Sequence, residues 1–203
     1  MEQLNSRNIG LDLVRVTETA ALAAGRWIGS GNADMAHLVP AKAMMEALAT
    51  LQMDGRIVIG EEKSTAAHVP LSSGLPVGTG FGPQVDVVVD SIDGTDLLIR
   101  GRPGAISVVG ISPRDSLWSP VPAIYMEKII VDQEAANALV PECMDAPAAW
   151  TIALIARVKN KAVHDTSVFI LDKLRHKDLI EEVRATGARI LLRKEGDVEG
   201  ALM

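Results

Sequence analysis

The amino-acid sequence predicts an α/β fold with mixed layers of helices and strands, and three observations indicate it. Apolar residues recur at three- and four-residue intervals in the first fifty residues, which is typical of amphipathic helices. Short apolar runs such as Val87-Val88-Val89 are typical of strands covered on both faces. Near the end of the chain, a strand–helix–strand order indicates a parallel pair joined by a crossover.

Two helices are predicted at the start of the chain. The first has an apolar stripe and ends at Gly29 and Gly31; the stripe consists of Leu13, Val16, Ala20, Ala23, Ala24 and Trp27. The second runs from about Val39 to Leu51. Pro40 is expected in its first turn, because deeper in the helix the ring would clash and a hydrogen bond would be lost.

Strands are predicted next, around a long loop. Their predicted ranges are Arg56–Gly60, Val85–Asp90 and Ala105–Ser112, with Ala123–Val131 as a further strand candidate. Residues 64–83 are rich in serine, glycine and proline, so this segment is expected to be a loop with a short hairpin.

The periodicity fades between residues 132 and 147, which predicts a boundary between domains 1–145 and 146–203. The second domain contains the predicted crossover unit, made of strand Ser167–Leu171, helix Arg175–Thr186 with Gly187 as its C-cap, and strand Arg189–Arg193. Two strands do not complete a sheet, so the second α/β layer is expected to be incomplete.

Composition excludes several classes of protein. The formal net charge of −6 argues against general nucleic-acid binding, because phosphate backbones require a basic surface. The apolar stretch 11–28 is interrupted by four charged residues, so no membrane span is predicted. No secretory signal is expected, because residues 1–7 lack the apolar region of such a signal. The single cysteine, Cys143, cannot form an internal disulfide. A cytoplasmic enzyme or binding protein is expected.

Residues 90–95 carry the strongest chemical signal. Asp90 ends a predicted strand, and Asp93 follows in a turn closed by Gly94. These carboxylates and the carbonyl of Ile92 are hard oxygen ligands that suit Mn²⁺ or Mg²⁺. The Thr95 hydroxyl could orient a metal-bound water. An Asp-Gly turn that merely joins two strands is the open alternative.

A further carboxylate, that of Glu61, follows another buried strand. Open α/β sheets place their ligand sites at such strand ends, so Glu61 is a further metal-ligand candidate. In the alternative interpretation, Glu61 and Glu62 form a solvated charge cluster with Lys63.

The order and spacing of several segments resembles the class II fructose-1,6-bisphosphatases of the lithium-sensitive, metal-dependent phosphatase superfamily. The matching segments are residues 13–18, 26–29, 53–61, 77–83, 90–95, 125–128, 171–176 and 196–198. The Asp-x-Ile-Asp-Gly-Thr turn is shared with inositol monophosphatases. The Tyr125-Met126-Glu127-Lys128 and Arg175-His176 segments are more specific to class II.

The resemblance implies a sugar-phosphatase αβαβα sandwich that lacks the family's C-terminal part. It also implies hydrolysis of the 1-phosphate of fructose 1,6-bisphosphate with Mn²⁺ or Mg²⁺, in gluconeogenesis or the Calvin cycle. Photosynthetic relatives take sedoheptulose 1,7-bisphosphate as well. Uncovered apolar faces of the incomplete layer would favour a homo-oligomer.

By position, the resemblance also assigns roles to residues. The metal candidates are Glu61, Asp90, Ile92, Asp93 and His37, and the catalytic candidates are Thr95, Glu61 and Asp90. The stretch that meets the departing phosphate is Asp93, Gly94 and Thr95. The candidates for binding the sugar and its distal phosphate are Tyr125, Lys173, Leu174, Arg175, Glu195, Gly196 and Asp197.

The chain departs from the family pattern at several positions where the family has metal- or substrate-binding residues. His37 occupies the position of a metal-binding aspartate, and imidazole binds Mn²⁺ better than Mg²⁺. A shifted alignment would place Asp34 there, and a surface histidine without a ligand role is also open. Lys63 brings a positive charge close to the cations. Further replacements are Ser91 and Leu174 for proline and Glu195 for aspartate.

These departures predict weak or absent catalysis and leave other functions open. One alternative is a relative that binds a sugar phosphate or a partner without hydrolysis. Another is a phosphatase of the same superfamily acting on inositol phosphates or nucleotide bisphosphates. Lys173 and Arg175 favour a substrate with a second phosphate.

Overall fold

A computed structural model of the protein describes residues 8–61, 70–119, 123 and 125–203. They fall into two compact α/β units, with the division between residues 121 and 122. The assignment of 1–145 as a metal-binding domain and of 146–203 as the start of a second domain stays a prediction.

The first unit is a mixed four-stranded sheet with two long helices packed on it. The strands are β1 (Asp54–Ile59), β2 (Pro76–Val77), β3 (Gln84–Asp93) and β4 (Ile106–Pro113), in the order β2-β1-β3-β4. β1 and β3 are parallel, and the other two pairs are antiparallel. The helices α1 (Ile9–Gly25) and α2 (Ala33–Ala49) pack against each other, α1 contacting β4 and α2 contacting β3.

The core of this unit lies between the helices and the sheet. Its side chains come from the apolar stripes of both helices, from alternate strand positions and from the connecting residues Leu51, Met53 and Leu71. The largest fully buried ones are Val16, Met44, Leu48, Met53, Ile57, Leu71 and Val87. In the predicted stripe of the first helix, Val16, Ala20 and Ala24 are buried and Leu13 and Ala23 are half-buried, whereas Trp27 lies beyond α1, which ends at Gly25 and not at the predicted Gly29.

The start of α2 differs from the prediction. The helix begins at Ala33, where the Asn32 side chain accepts a hydrogen bond from the Met35 N–H at 3.1 Å. Pro40 therefore lies inside the helix, so its expected place in the first turn is wrong. The Asn32 cap and the burial of Pro40 in the core offset the missing N–H of the proline.

The end of β3 also differs from the prediction. The strand continues past Asp90 to Asp93, with a bulge between these two residues in its pairing with β4. Gly94 then adopts a left-handed conformation with φ 91°, and the short helix α3 (Thr95–Ile99) begins. Pairing with β4 resumes at Asp93 beyond the bulge, so the turn expected after Asp90 comes three residues later.

The second unit contains the predicted crossover. The strands β5 (Ser167–Leu171) and β6 (Arg189–Arg193) are parallel, with α6 (Lys177–Ala185) between them in the chain. A 3₁₀ turn, Leu174–His176, precedes α6, and Gly187 follows it with φ 81°. The helices α4 (Gln133–Ala136), α5 (Ala148–Val158) and α7 (Asp197–Leu202) were not predicted.

The strand predicted at Ala123–Val131 is wrong. Residues 123 and 125–131 have no regular secondary structure, and nearly all of them are exposed. A strand is stable only where a neighbouring strand takes up its backbone hydrogen bonds, and no strand pairs with these residues in the described part of the chain.

No helix among the described residues is long and apolar enough to cross a membrane.

Hydrogen bonds between charged residues join the N-terminal parts of β1 and β3. Asp86 is fully buried, and its carboxylate accepts hydrogen bonds from Arg56 Nη2 at 3.1 Å and from the Leu117 N–H at 3.3 Å. Arg56 also donates to Asp115 at 2.8 Å. Burial raises the pKa of Asp86, but these hydrogen bonds and the Arg56 charge outweigh it, so that the pKa lies below its ordinary value.

This lowered pKa predicts a loss of stability in acid. Asp86 contributes stability above its unfolded pKa of about 4, and that contribution disappears as the pH falls through the lower folded pKa. Urea unfolding of the protein and of Asp86→Asn at about pH 7 and about pH 3 measures the effect. We expect the stability difference between the two proteins to shrink in acid. An equal difference at both pH values would contradict this account.

Candidate functional site

Parallel pairing of β1 and β3 brings Glu61 beside the end of β3. Ile59 pairs with Val88, and Glu61 and Asp90 each lie two residues further along the chain, Glu61 just beyond the end of β1. The backbone N–H of Ser91 donates a hydrogen bond to Glu61 Oε1 at 2.5 Å. The carboxylate of Glu61 is thus held against the segment that carries Asp90 and Asp93.

The second oxygen of Glu61 faces His37. Glu61 is 8% exposed, and its Oε2 lies 3.5 Å from His37 Nε2. Neither atom has a hydrogen-bond partner among the described residues. His37 is therefore directed at the predicted site from α2, whereas Asp34 in the first turn of α2 is exposed.

The segment after Asp90 is compact and buried. Asp93 is 6% exposed at the end of β3, and Gly94 provides the left-handed turn that starts α3. The Thr95 hydroxyl donates to the carbonyl oxygen of Ile92 at 3.2 Å. The hydroxyl and the carbonyl proposed for metal chemistry are therefore adjacent, and the Thr95 oxygen can still accept a hydrogen bond.

Ser91 has a role that sequence reasoning missed. The residue is fully buried, and its N–H makes the bond to Glu61. A proline, which the resemblance leads one to expect at this position, has no N–H to donate. The replacement therefore adds a contact to a candidate metal ligand. The missing proline was the only signal in the sequence that could have revealed it.

The candidate ligands do not complete a metal site among the described residues. Within residues 8–61, 70–119, 123 and 125–203, no group of three or more His, Cys, Asp or Glu side chains is arranged to hold an ion by itself. Mg²⁺ sites, however, commonly use one or two carboxylates together with water and substrate phosphate oxygens. Glu61 Oε2 suits such a site because it is buried and no described residue hydrogen-bonds it.

The second unit places most of the remaining candidates at one edge of its sheet. Leu171 pairs with Arg193, and the N–H of Asp172 donates to the carbonyl of Arg193 at 2.6 Å. Lys173 follows β5, and the segment 195–197 follows β6, so both leave the carboxyl ends of adjacent parallel strands. Gly196 has φ 90° and precedes α7.

Tyr125 joins this group through an aromatic contact. The guanidinium of Arg175 lies 4.3 Å from the centre of the Tyr125 ring, which is a cation–π geometry. Leu174 is 91% exposed. Lys173 and Leu174 also border an open groove of about 370 Å³, whose other lining residues include Lys177 and Arg184.

The structure therefore gathers the sequence-predicted residues into two sets. One set lies in the first unit and consists of His37, Glu61, Asp90, Ile92, Asp93, Gly94 and Thr95. The other lies in the second unit and consists of Tyr125, Lys173, Leu174, Arg175, Glu195, Gly196 and Asp197. Glu62 and Lys63, on which the charge-cluster alternative depends, lie outside the described residues.

Comparison with known proteins assigns the chain to a family of phosphatases. The family model described as "Bacterial fructose-1,6-bisphosphatase, glpX-encoded" matches residues 7–203, so the chain belongs to this family. The class II resemblance that the sequence indicated is confirmed.

Two relatives show the extent of the similarity. The chain is 35% identical to the D-fructose 1,6-bisphosphatase class 2/sedoheptulose 1,7-bisphosphatase of Synechococcus sp. (strain JA-3-3Ab), over 96% of this chain and 58% of the relative. It is 34% identical to the protein of the same name from Gloeobacter violaceus, over 97% of this chain and 59% of the relative. The chain thus spans less than two thirds of the length of these curated relatives.

Proposed function

We propose that this chain carries the site of a metal-dependent phosphatase that hydrolyses the 1-phosphate of fructose 1,6-bisphosphate. Sedoheptulose 1,7-bisphosphate is proposed as a second substrate, because the relatives are named for both activities. The observation that carries the proposal is the placement of Glu61 against residues 90–93, with the Thr95 hydroxyl beside the Ile92 carbonyl.

Each residue of the first unit has a chemical task in this proposal. Glu61, Asp90, Asp93 and the Ile92 carbonyl would hold Mn²⁺ or Mg²⁺, with His37 close to Glu61. Such an ion would polarise the phosphate and lower the pKa of the attacking water. The Thr95 oxygen can accept a hydrogen bond from that water and orient it. Glu61 and Asp90 are the carboxylates that can take up its proton.

The residues of the second unit would recognise the rest of the substrate. Lys173 and Arg175 carry positive charges suited to the phosphate that does not react, Arg175 with a planar fork of donors. Its stacking on Tyr125 limits the orientations of that fork. The carboxylate of Asp197 can accept hydrogen bonds from sugar hydroxyls. Leu174, Glu195 and Gly196 complete the proposed binding segments.

Phosphate release from fructose 1,6-bisphosphate across Mg²⁺ and Mn²⁺ concentrations tests the proposal. We expect slow release that requires the metal and is faster with Mn²⁺, because the imidazole of His37 binds Mn²⁺ more readily. Thr95→Ala should lower the rate by about 100-fold through loss of water orientation. Absence of release at every metal concentration would contradict hydrolysis by this chain.

A second candidate function is binding of a sugar phosphate or a partner without hydrolysis. It is favoured by two observations on the described residues, the lack of a three-ligand group and the neutral or cationic side chain of His37 near Glu61. Calorimetry with fructose 1,6-bisphosphate separates the two functions, because binding without phosphate release supports only the second. Action on inositol phosphates or nucleotide bisphosphates is tested by the same release assay with those substrates.

Homo-oligomer formation and a cytoplasmic location stay predictions. Sedimentation of the purified chain would test the first, and fractionation of the source cells the second.

A further inference from the structure

His176 closes the loop that carries the proposed phosphate-binding residues. Its ring atom Nδ1 lies 2.8 Å from the carbonyl oxygen of Leu171, the last residue of β5. Its backbone N–H donates to the carbonyl of Lys173, also at 2.8 Å. The N–H of Lys173 donates to the same Leu171 carbonyl at 2.8 Å. Two of these hydrogen bonds tie the loop to the end of β5, and the third joins the two ends of the loop to each other.

The ring contact has a defined chemical direction. A carbonyl oxygen can only accept, so Nδ1 of His176 must carry the hydrogen. Both the neutral Nδ1–H tautomer and the imidazolium ion have this donor, and the contact is therefore compatible with either protonation state. The side chain does not cap α6, which begins at Lys177, but turns back to β5 instead.

The middle of the loop is exposed to solvent. Leu174 is 91% exposed, and Arg175 is exposed as well, so packing contributes little to the order of these residues. The resemblance leads one to expect a proline at position 174, and leucine leaves the unbound backbone more conformational freedom. Among the described residues, the loop is held by the Tyr125–Arg175 contact, by backbone hydrogen bonds of Asp172, Lys173, His176 and Lys177, and by the ring of His176, which is the side chain that bonds back to the end of β5.

We infer that His176 is a positioning residue for substrate binding, which holds Lys173 and Arg175 at the end of β5 through its ring hydrogen bond to Leu171. This inference rests on the proposed function, in which Lys173 and Arg175 bind the non-reacting phosphate. His176 itself touches the loop and the strand, so its removal should weaken substrate binding without changing the chemical step.

Two substitutions in the full chain test the inference. His176→Ala removes the donor. His176→Asn places an amide nitrogen at the same number of bonds from Cα as Nδ1, so that it can donate the same hydrogen bond. We expect the KM of the alanine variant for fructose 1,6-bisphosphate to be about tenfold higher, which corresponds to the loss of roughly one hydrogen bond. The kcat should be nearly unchanged. The asparagine variant should recover most of the lost affinity.

Amide hydrogen exchange at Lys173 and His176 provides a readout that is independent of activity. It should be faster in His176→Ala and close to the original rate in His176→Asn. His164→Ala, at a largely exposed histidine in the same unit, is the matched control and should change neither readout.

The two proposals fail in different ways. Unchanged exchange and KM in His176→Ala, or equal effects of alanine and asparagine, would overturn the role of His176. If the unmodified chain neither releases phosphate nor binds the bisphosphate, the proposed function fails, and with it the substrate-positioning role. The exchange rates then still report whether His176 orders the loop.

Discussion

Replacing Glu61 with glutamine is expected to reduce metal-dependent phosphate release by about 100-fold while the fold stays intact. Glutamine has the same shape, and its amide oxygen can still accept the hydrogen bond from the Ser91 N–H. The substitution removes the negative charge and places an amide where Oε2 now faces His37. Mn²⁺ titration and the release assay measure the loss, and thermal unfolding reports the integrity of the fold.

Glu46→Gln is the matched control for this substitution. Glu46 lies on α2 in the same unit, but its side chain is exposed to solvent. The control should leave Mn²⁺ affinity and phosphate release unchanged. If Glu61→Gln behaves like Glu46→Gln in both assays, the carboxylate of Glu61 has only a structural role, and the proposed metal site must be abandoned.

Replacing Gly60 with alanine is expected to have the second large effect, by displacing the segment that carries Glu61. A Cβ atom at Gly60 would collide with the backbone carbonyl of Leu71 and lie 3.0 Å from the N–H nitrogen of Ser73. The same segment is held by hydrogen bonds from Gly60 to the Ser73 hydroxyl and from the Glu61 N–H to the Leu71 carbonyl. Backbone atoms cannot rotate away, so we expect a loss of about 3 kcal/mol in the free energy of unfolding.

Urea unfolding measures this loss, and the release assay should show lowered activity in the fraction that remains folded. Gly25→Ala serves as the control because nothing lies within 4 Å of its added Cβ at the end of α1. Alanine there should leave stability unchanged or raise it slightly, since it lowers the entropy of the unfolded chain. Equal stability of the two variants would contradict this prediction, because it would mean that the Leu71 backbone moves aside for the added methyl group.

Local patterns predicted several elements accurately. The strand ranges Ser167–Leu171 and Arg189–Arg193 are confirmed, as are their parallel pairing and the place of Gly187 after α6. In each case the signal lies within a few residues: an apolar run, a helical stripe and a glycine that tolerates positive φ. Such signals do not depend on distant parts of the chain.

Elements that depend on distant partners were predicted less well. The apolar residues of 123–131 have strand composition, but no described strand pairs with them. α2 includes Pro40 because the Asn32 cap and burial against the sheet outweigh the local preference of proline. The continuation of β3 to Asp93 depends on β4, which pairs with it on both sides of the bulge.

The sequence by itself determined the family of this protein and the identity of its candidate site residues, because motifs such as Asp90–Thr95 are contiguous in the chain. Only the tertiary structure decided which atoms meet. The Ser91 N–H reaches Glu61 because the parallel pairing of β1 and β3 places their ends side by side. His37 faces Glu61 because α2, which carries it, packs on the sheet. The contact of Arg175 with Tyr125 joins residues fifty positions apart in sequence, and no local pattern specifies such a contact.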